Sequence, residues 1–255
     1  MVDIPAARGA LRILTHLARQ SGPVGASAIA RDLGLPRSST YQLIRVMQEE
    51  GYVVHYPELR AYGLGSLVSE IGSSVLRATR LGRLAQPLID RLVLEVDVPA
   101  VAQVGVLHGS DVSYVSKAAG HRAPTTVASV GVRLPAHLTA TGRSMLATLP
   151  AGQVRALFPH RESLVTRRGL GPTTLRALDD ILAATRSRGF AAEDGEITQG
   201  YSSVAATATD RNGYPVAAIG LTYLSVAAVA PDDIARLGAA VVAASAALTA
   251  RLGGH

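Results

Sequence analysis

Two clusters of side chains carry types and spacings from which chemistry can be built. Between Arg37 and Arg45 stand Arg37, Ser38, Ser39, Tyr41, Gln42 and Arg45. These groups donate fork-like or bidentate hydrogen bonds, and no carboxylate joins them until Glu49. Such a set suits phosphates and base edges in a DNA major groove. A solvated helix face would also be polar, so it is the content of the face that favours DNA. The second cluster is Glu193, Asp194 and Glu196. Its spacing lets one carboxylate face a cavity while the others cap a turn or remain in water, and acid/base work by the trio stands as an alternative.

Other chemistries find little support. The histidines His16, His55, His108, His121, His137, His160 and His255 show no spacing that gathers metal ligands on one turn. His137 reads as a structural or cavity-wall residue rather than a general base. No Gly-x-Ser-x-Gly elbow is present. The absence of cysteine excludes disulfides, thiolate metal sites and thiol nucleophiles, and suits a reducing cytoplasm. No catalytic residue, metal or cofactor is expected.

A chain of 255 residues, 48% hydrophobic and 17% charged, has the composition of a globular protein with two domains of unequal size. Its net charge of +6 is carried almost wholly by arginine, Lys117 being the sole lysine. That balance leans toward polyanion partners. From Met1 to Gln20 apolar residues alternate with Arg8, Arg12 and Arg19, unlike the unbroken run of an export signal. The most apolar stretch, Ala239 to Ala250, is about twelve residues against the roughly 18 to 20 that a bilayer requires. Neither export nor a membrane partner is expected.

The first cluster needs an element to present it. Ala7, Leu11, Leu14 and Leu17 recur at helical spacing and define a first helix. After Ser21, Gly22 and Pro23, Ser27 offers an N-cap for a short helix over Ala28 to Leu33, closed by Gly34. A third helix runs from Arg37 to Glu50, with Thr40, Leu43, Ile44 and Met47 inward and the polar cluster outward. Two short helices joined so tightly cross steeply, the helix-turn-helix arrangement that pushes the second outward. Tyr52 to His55 and Ala61 to Leu64 then pair as a wing about a turn over Tyr56 to Arg60. Arg60 at its tip can reach a phosphate or minor groove, or simply be an exposed hairpin arginine.

Gly65 to Val96 reads as an interrupted helix with stripes Leu67, Ile71, Val75, Leu76 and Leu84, Leu88, Leu92, Val96, bent by Pro87. Strands follow at Ala100 to Leu107, Asp111 to Lys117 and Thr125 to Val130. Helices cover Thr139 to Leu149 and Thr173 to Arg188. Two further strands, Ser202 to Asp210 and Tyr214 to Thr222, flank the Asn212-Gly213 hairpin signal. A last helix opens at Pro231 with stripe Ile234, Leu237, Val241 and Leu248. The expected architecture has two domains: a winged helix-turn-helix over 1–65 and, after a helical linker over 66–96, an α+β domain with an antiparallel sheet over 97–255.

Two stretches together make the chain resemble the IclR family of transcription regulators. The first is Leu35-Pro36-Arg37-Ser38-Ser39-Thr40 through Gln48-Glu49-Glu50-Gly51-Tyr52-Val53, ending in Tyr62-Gly63-Leu64-Gly65. The second joins Leu134-Pro135-Ala136-His137-Leu138-Thr139-Ala140-Thr141-Gly142-Arg143 to Arg188-Gly189-Phe190-Ala191-Ala192-Glu193-Asp194-Gly195-Glu196, with Gly200 following. The resemblance covers nearly the whole length. It implies a GAF-like C-terminal domain, cytoplasmic homodimers or dimers of dimers, palindromic promoter DNA, and a small-molecule effector such as a carboxylate or an aromatic. Carried over, the effector pocket is lined by Ala123, Ala140, Thr141, Glu193, Ser203, Gly220 and Thr222. Arg143 stands where the family often has Lys, Glu193 where it has Asp, and Gly220 where a serine is frequent, which weakens the expectation of a simple small carboxylate.

The function these readings favour is a DNA-binding regulator whose promoter affinity responds to a metabolite. An enzyme or binding protein with a DNA-binding appendage is the alternative, which turnover of candidate ligands distinguishes. A nonspecific architectural DNA protein would lack the roughly 10³-fold preference of a regulator for its site.

Overall fold

The computed structural model describes residues 4–167, 169–228 and 230–253, without the side chains of Ser74 and Val75. His255 and the Val75 member of the linker stripe therefore lie outside the described residues. The chain forms two compact units, Met1–Arg77 and Ala78–His255.

In the first unit, α1 (Pro5–Ala18), α2 (Ala26–Leu33) and α3 (Arg37–Glu49) precede a hairpin of β1 (Val53–Tyr56) and β2 (Ala61–Leu64). Its core is Ile13, Leu17, Ala26, Ile29, Ile44, Met47 and Val53. Helix α1 turns a different face inward from the one its leucines suggested: Gly9, Ile13 and Leu17 are buried, whereas Ala7 and Leu11 are exposed. The reason is close packing, since a Cβ on Gly9 would stand 2.8 Å from Leu43 Cδ1. Gly25, not Ser27, occupies the N-cap of α2, and no side chain caps it. Gly34 closes that helix in the left-handed region at φ 63°, as expected. Thr40, Ile44 and Met47 are buried on α3 and Leu43 is half-buried. The hairpin is extended by a bridge, Val24 and Tyr62 exchanging backbone hydrogen bonds of 2.9 Å.

Helix α4 (Ser66–Glu95) contains Pro87 without a break in its assignment, so the expected interruptions are not seen. In the second unit its buried residues are Leu81, Ala85, Ile89, Leu92 and Val93, with Leu84, Leu88 and Val96 only partly covered. Ile71 and Leu76 of the other stripe are exposed.

The second unit is built on a six-stranded antiparallel sheet in the order β5-β4-β3-β8-β7-β6. The strands are β3 (Ala100–His108), β4 (Asp111–Ala119), β5 (Arg133–Pro135), β6 (Ala191–Asp194), β7 (Tyr201–Thr209) and β8 (Pro215–Leu224). Alternation along the strands separates two faces. One presents Ala100, Ala102, Val104, Val204, Ala206, Ile219 and Leu221 to α4 and to α8 (Pro231–Arg251). The other faces α5 (Ala140–Thr148), α6 (Ala151–Leu157) and α7 (Leu175–Arg188), which share a second core around Met145, Leu146, Phe158, Leu178 and Leu182.

Three differences from the sequence reading concern this unit. Thr125 to Val130 is not a strand; the third strand is Arg133–Pro135, set by its register against β4, where Asp111 meets Pro135 and Ser113 meets Arg133. Strand β6 and helix α6 had no place in that reading. Helix α8 extends over 21 residues, beyond the twelve-residue apolar run, and by length and composition it is long and apolar enough to cross a membrane. Its Leu237, Val241, Ser245 and Leu248 are buried on the face it shares with the sheet, the pattern of a core helix.

Candidate functional site

Helix α3 presents the first cluster as the spacing predicts. Arg37, Ser38, Tyr41, Gln42 and Arg45 are exposed and Ser39 is half-buried. Inward anchoring holds the face outward: Thr40 is fully buried and donates its hydroxyl to Pro36 O at 3.1 Å. One refinement concerns charge. Arg45 Nε donates to Glu49 Oε1 at 2.9 Å, so the carboxylate left outside the cluster is a partner of its last arginine. Both groups are exposed, and such an i,i+4 pair is worth only about 0.3 to 0.5 kcal/mol, little enough for a phosphate to replace it. Arg60 sits exposed at the wing tip with φ 47°, a left-handed position uncommon outside glycine, which closes the turn.

The second site is a cavity between the N-terminus of α5 and the sheet. Its wall includes Gln103, Tyr114, Thr126, Ala128, Leu134, Thr139, Ala140, Thr141, Glu193, Ile197, Ser203, Gly220 and Thr222. The free room inside is about 30 Å³, small beside the roughly 150 Å³ of a cavity that holds benzene. The start of α5 is built tightly. Thr139 Oγ1 accepts from the Gly142 N–H at 3.0 Å as N-cap, and any Cβ on Gly142 would collide with Ala136 O at 2.1 Å. Below it, Gly220 has a reason to be glycine: a Cβ there would stand 2.8 Å from Thr141 Cγ2. The threonine methyl fills the space that a side chain at 220 would occupy.

A line of polar groups crosses four strands on the cavity floor. Gln103 Nε2 on β3 donates to Thr222 Oγ1 on β8 at 3.0 Å, Thr222 and Ser203 on β7 share a 3.0 Å hydrogen bond, and Ser203 donates to Glu193 Oε1 on β6 at 2.7 Å. The Glu196 N–H reaches Glu193 Oε2 at 3.2 Å. Burial drives the Glu193 carboxyl up from 4.5 to about 8, with Glu196 adding to the rise and the Ser203 hydrogen bond opposing it. Across the cavity Tyr114 meets Thr141 at 3.2 Å, and burial pushes its phenol up to about 12.

The other acidic residues divide the work as their spacing allowed. Glu196 Oε2 accepts from the Asp194 N–H at 2.8 Å, while Glu196 Oε1 binds the buried Arg143 at 2.7 Å. Arg143 also donates to His137 O at 2.8 Å and Ala192 O at 3.1 Å, so the guanidinium ties the α5 segment to β6, and its charge opposes part of the rise at Glu193. Asp194 accepts from Ser202 and Ser225. His137 is buried, with Nε2 against Val165 O at 2.7 Å and its ring edge-on to Phe158. Its Nδ1 is buried without a partner, and burial lowers its pKa. A histidine so enclosed holds the wall together. Among the described residues no group of three or more His, Cys, Asp or Glu is placed to hold a metal ion.

Of the seven carried-over pocket positions the structure brings six together: Ala140, Thr141, Glu193, Ser203, Gly220 and Thr222. Ala123 is the exception, because its N–H closes a turn onto Gly120 O at 3.2 Å and the wall there is formed by Thr126 and Ala128. Sequence reasoning missed Gln103 and Tyr114. Gln103 was visible as the one polar residue in an otherwise apolar strand, Ala100 to Leu107.

A winged helix-turn-helix followed by an α/β unit with a small, polar-floored cavity defines a class, the two-part DNA-binding regulators. Comparison with known proteins narrows it. The family description "Bacterial transcriptional regulator IclR C-terminal" matches residues 73–250, and "IclR helix-turn-helix domain" matches residues 6–57. The acetate operon repressor of Salmonella typhimurium is 29% identical over 246 residues, 96% of this chain and 88% of that protein. The Agobacterium tumefaciens repressor BlcR superposes with a TM-score of 0.61 at 28% identity, covering 99% of this chain and 98% of that one. An IclR homolog from Microbacterium hydrocarbonoxydans, complexed with 4-hydroxybenzoate, shares the fold at 21% identity and a TM-score of 0.61, covering 97% and 99%. The chain belongs to the IclR family and is a DNA-binding transcriptional regulator of that type.

Proposed function

We propose that this regulator binds a palindromic promoter site through Arg37, Ser38, Ser39, Tyr41, Gln42, Arg45 and Arg60, and that a small molecule in the α5 cavity alters that affinity. The DNA-binding segment is 1–65, the linker 66–96 and the sensing segment 97–255. The observation that carries the reading is the outward face of α3, where Arg37, Ser38, Tyr41, Gln42 and Arg45 are exposed while Thr40, Ile44 and Met47 anchor the helix from beneath. In a dimer, two such helices enter successive major grooves about 34 Å apart. A homodimer or dimer of dimers in the cytoplasm, acting without catalysis, completes this reading.

A cavity with only about 30 Å³ of free room favours ligand entry coupled to a shift of α5, the floor strands or the 121–131 segment. That coupling supports sensing, because a ligand changes DNA affinity only through unequal affinity for two conformations, typically about 1 to 3 kcal/mol. The test is fluorescence anisotropy with the DNA upstream of the protein's own gene. Specific DNA is bound about 10³-fold or more above random duplex, and Thr141→Leu preserves that binding while abolishing its response to ligand. Equal affinity for both duplexes rejects the regulator reading.

A further inference from the structure

The strand register that builds the cavity floor also builds a second polar row, one residue along and on the opposite face of the sheet. Asp194 on β6 pairs with Ser202 on β7, and Ser202 pairs with Tyr223 on β8, directly beside the row of Glu193, Ser203 and Thr222. The hydroxyls of Ser202 and Ser225 both donate to Asp194 Oδ1, at 2.6 and 2.9 Å. Among the described residues, Asp194 Oδ2 has neither a donor nor an ion-pair partner. Tyr223 is only 1% exposed, yet its hydroxyl has no hydrogen-bond partner among the described residues either. A phenol buried so deeply ordinarily finds one. Both groups meet at a solvent-open hollow with about 470 Å³ of free room beside the start of α8, within the roughly 300 to 1,000 Å³ of ligand clefts. Its wall also carries the apolar side chains of Val226, Ala228 and Ile234. We propose that this hollow is a second ligand site, separate from the α5 cavity, and that it takes a primary ammonium group carried on a short apolar body.

Charge and donor count select that class. Arg143 is the one cation at the wall among the described residues, and Glu196 matches it at 2.7 Å. Glu193, which separates this hollow from the α5 cavity, is raised to about 8 by burial and keeps its proton at neutral pH. Asp194 is therefore the wall's uncompensated charge, and it repels an anion and draws a cation. Burial, with the charges of Asp194 and Glu193 adding to it, pushes the Tyr223 phenol up to about 12, so this group stays neutral. The open positions on the row, Asp194 Oδ2 and the Tyr223 oxygen, are acceptors, and an ammonium brings three donors. Its hydrogen bond to a carboxylate is of the stronger, charge-assisted kind. A quaternary ammonium has the charge without the donors, and an alcohol has a donor without the charge.

Those two contrasts test the proposal. Full-length protein carrying ring-carbon-labelled tyrosine is titrated at neutral pH and fixed ionic strength with butylammonium, butanol and tetramethylammonium, and read by nuclear magnetic resonance. Tyr223→Phe assigns the Tyr223 signal. Butylammonium is expected to move that signal to saturation, binding about tenfold or more tightly than either other compound. Asp194→Asn, which keeps the Oδ1 acceptor for both serines, weakens it about tenfold. Val226→Lys, at a position 83% exposed, sets a tethered ammonium beside the hollow and also weakens it; where Asp194→Asn fails to fold, this variant alone decides. A Tyr223 signal that does not saturate at tens of millimolar overturns the proposal. So does butanol or tetramethylammonium binding as tightly, or butylammonium affinity unchanged in the folded variants. A shift at Tyr114 in place of Tyr223 puts the amine in the α5 cavity and overturns it too.

Discussion

At the scale of single residues, Glu193 has a thermodynamic signature that can be read without any ligand. Its carboxyl ordinarily ionises near 4.5 and in the fold near 8. As pH rises above the lower value the unfolded chain gives up its proton and the folded chain does not, so stability falls across that window and levels off once the folded form also ionises. His137 works in the opposite sense. Its lowered pKa means the unfolded chain protonates first on acidification, so its contribution is lost as pH drops through the ordinary histidine range. The wild type minus Glu193→Gln difference in denaturant midpoint isolates the carboxyl. Wild type is expected to lose stability relative to the variant from about pH 5 to about pH 8, and a pH-independent difference would remove the buried acid from the account. Gly220 offers a second test. Gly220→Ala should cost about 1 to 3 kcal/mol through overpacking against Thr141 Cγ2, and adding Thr141→Ser, which deletes that methyl, should restore much of the loss. Urea unfolding of the four proteins of the cycle measures the coupling.

At the scale of elements, the polar face of α3 separates two kinds of contact that its side chains make. If Gln42 or Arg45 reads a base edge, alanine there should cost about 1 to 3 kcal/mol on one operator and relax preference at one base pair; a phosphate contact instead weakens every duplex alike and lowers the salt slope by about one. Anisotropy titrations over single-base operator variants and a salt series decide the assignment for each residue. This helix was legible in the sequence because its inward residues keep helical spacing and Gly51, at φ 79°, marks its end. Helix α1 was less so: Leu11 and Ile13 both lie on plausible faces, and only the close approach of α3 at Gly9 selects the second. Strand β5 was misplaced for a similar reason, because Thr125 to Val130 has strand propensity but its position in the sheet depends on pairing with β4, a long-range choice. The Asn212-Gly213 signal located the β7–β8 turn correctly. Its form differs, however, since Gly213 alone has positive φ while Asp210 Oδ1 accepts from the N–H groups of Asn212 and Tyr214. Six cavity residues could be placed from the sequence by motif; the Gln103 to Glu193 hydrogen-bond line could not, because it joins four strands that only the folded register brings side by side.

At the scale of the whole molecule, the two functions are joined by linkage, which makes a prediction independent of how the units are arranged. Suppose an effector bound in the α5 cavity lowers operator affinity by some factor. Because the four states with and without DNA and ligand close a thermodynamic cycle, operator DNA must lower effector affinity by the same factor. For coupling of about 1 to 3 kcal/mol that factor is roughly 5 to 150, within reach of calorimetric titration of ligand into free protein and into the protein–operator complex. The comparison has to be made at one salt concentration. DNA binding by a chain of net charge +6 releases counterions, so a change in salt alone would shift one side of the cycle and mimic coupling. A factor that departs from one, equally in both directions, establishes that effector and operator bind the same protein with coupled free energies. A ligand that weakens DNA binding while its own affinity for the protein is indifferent to operator cannot be acting by binding this protein, and would instead have to act on the DNA itself.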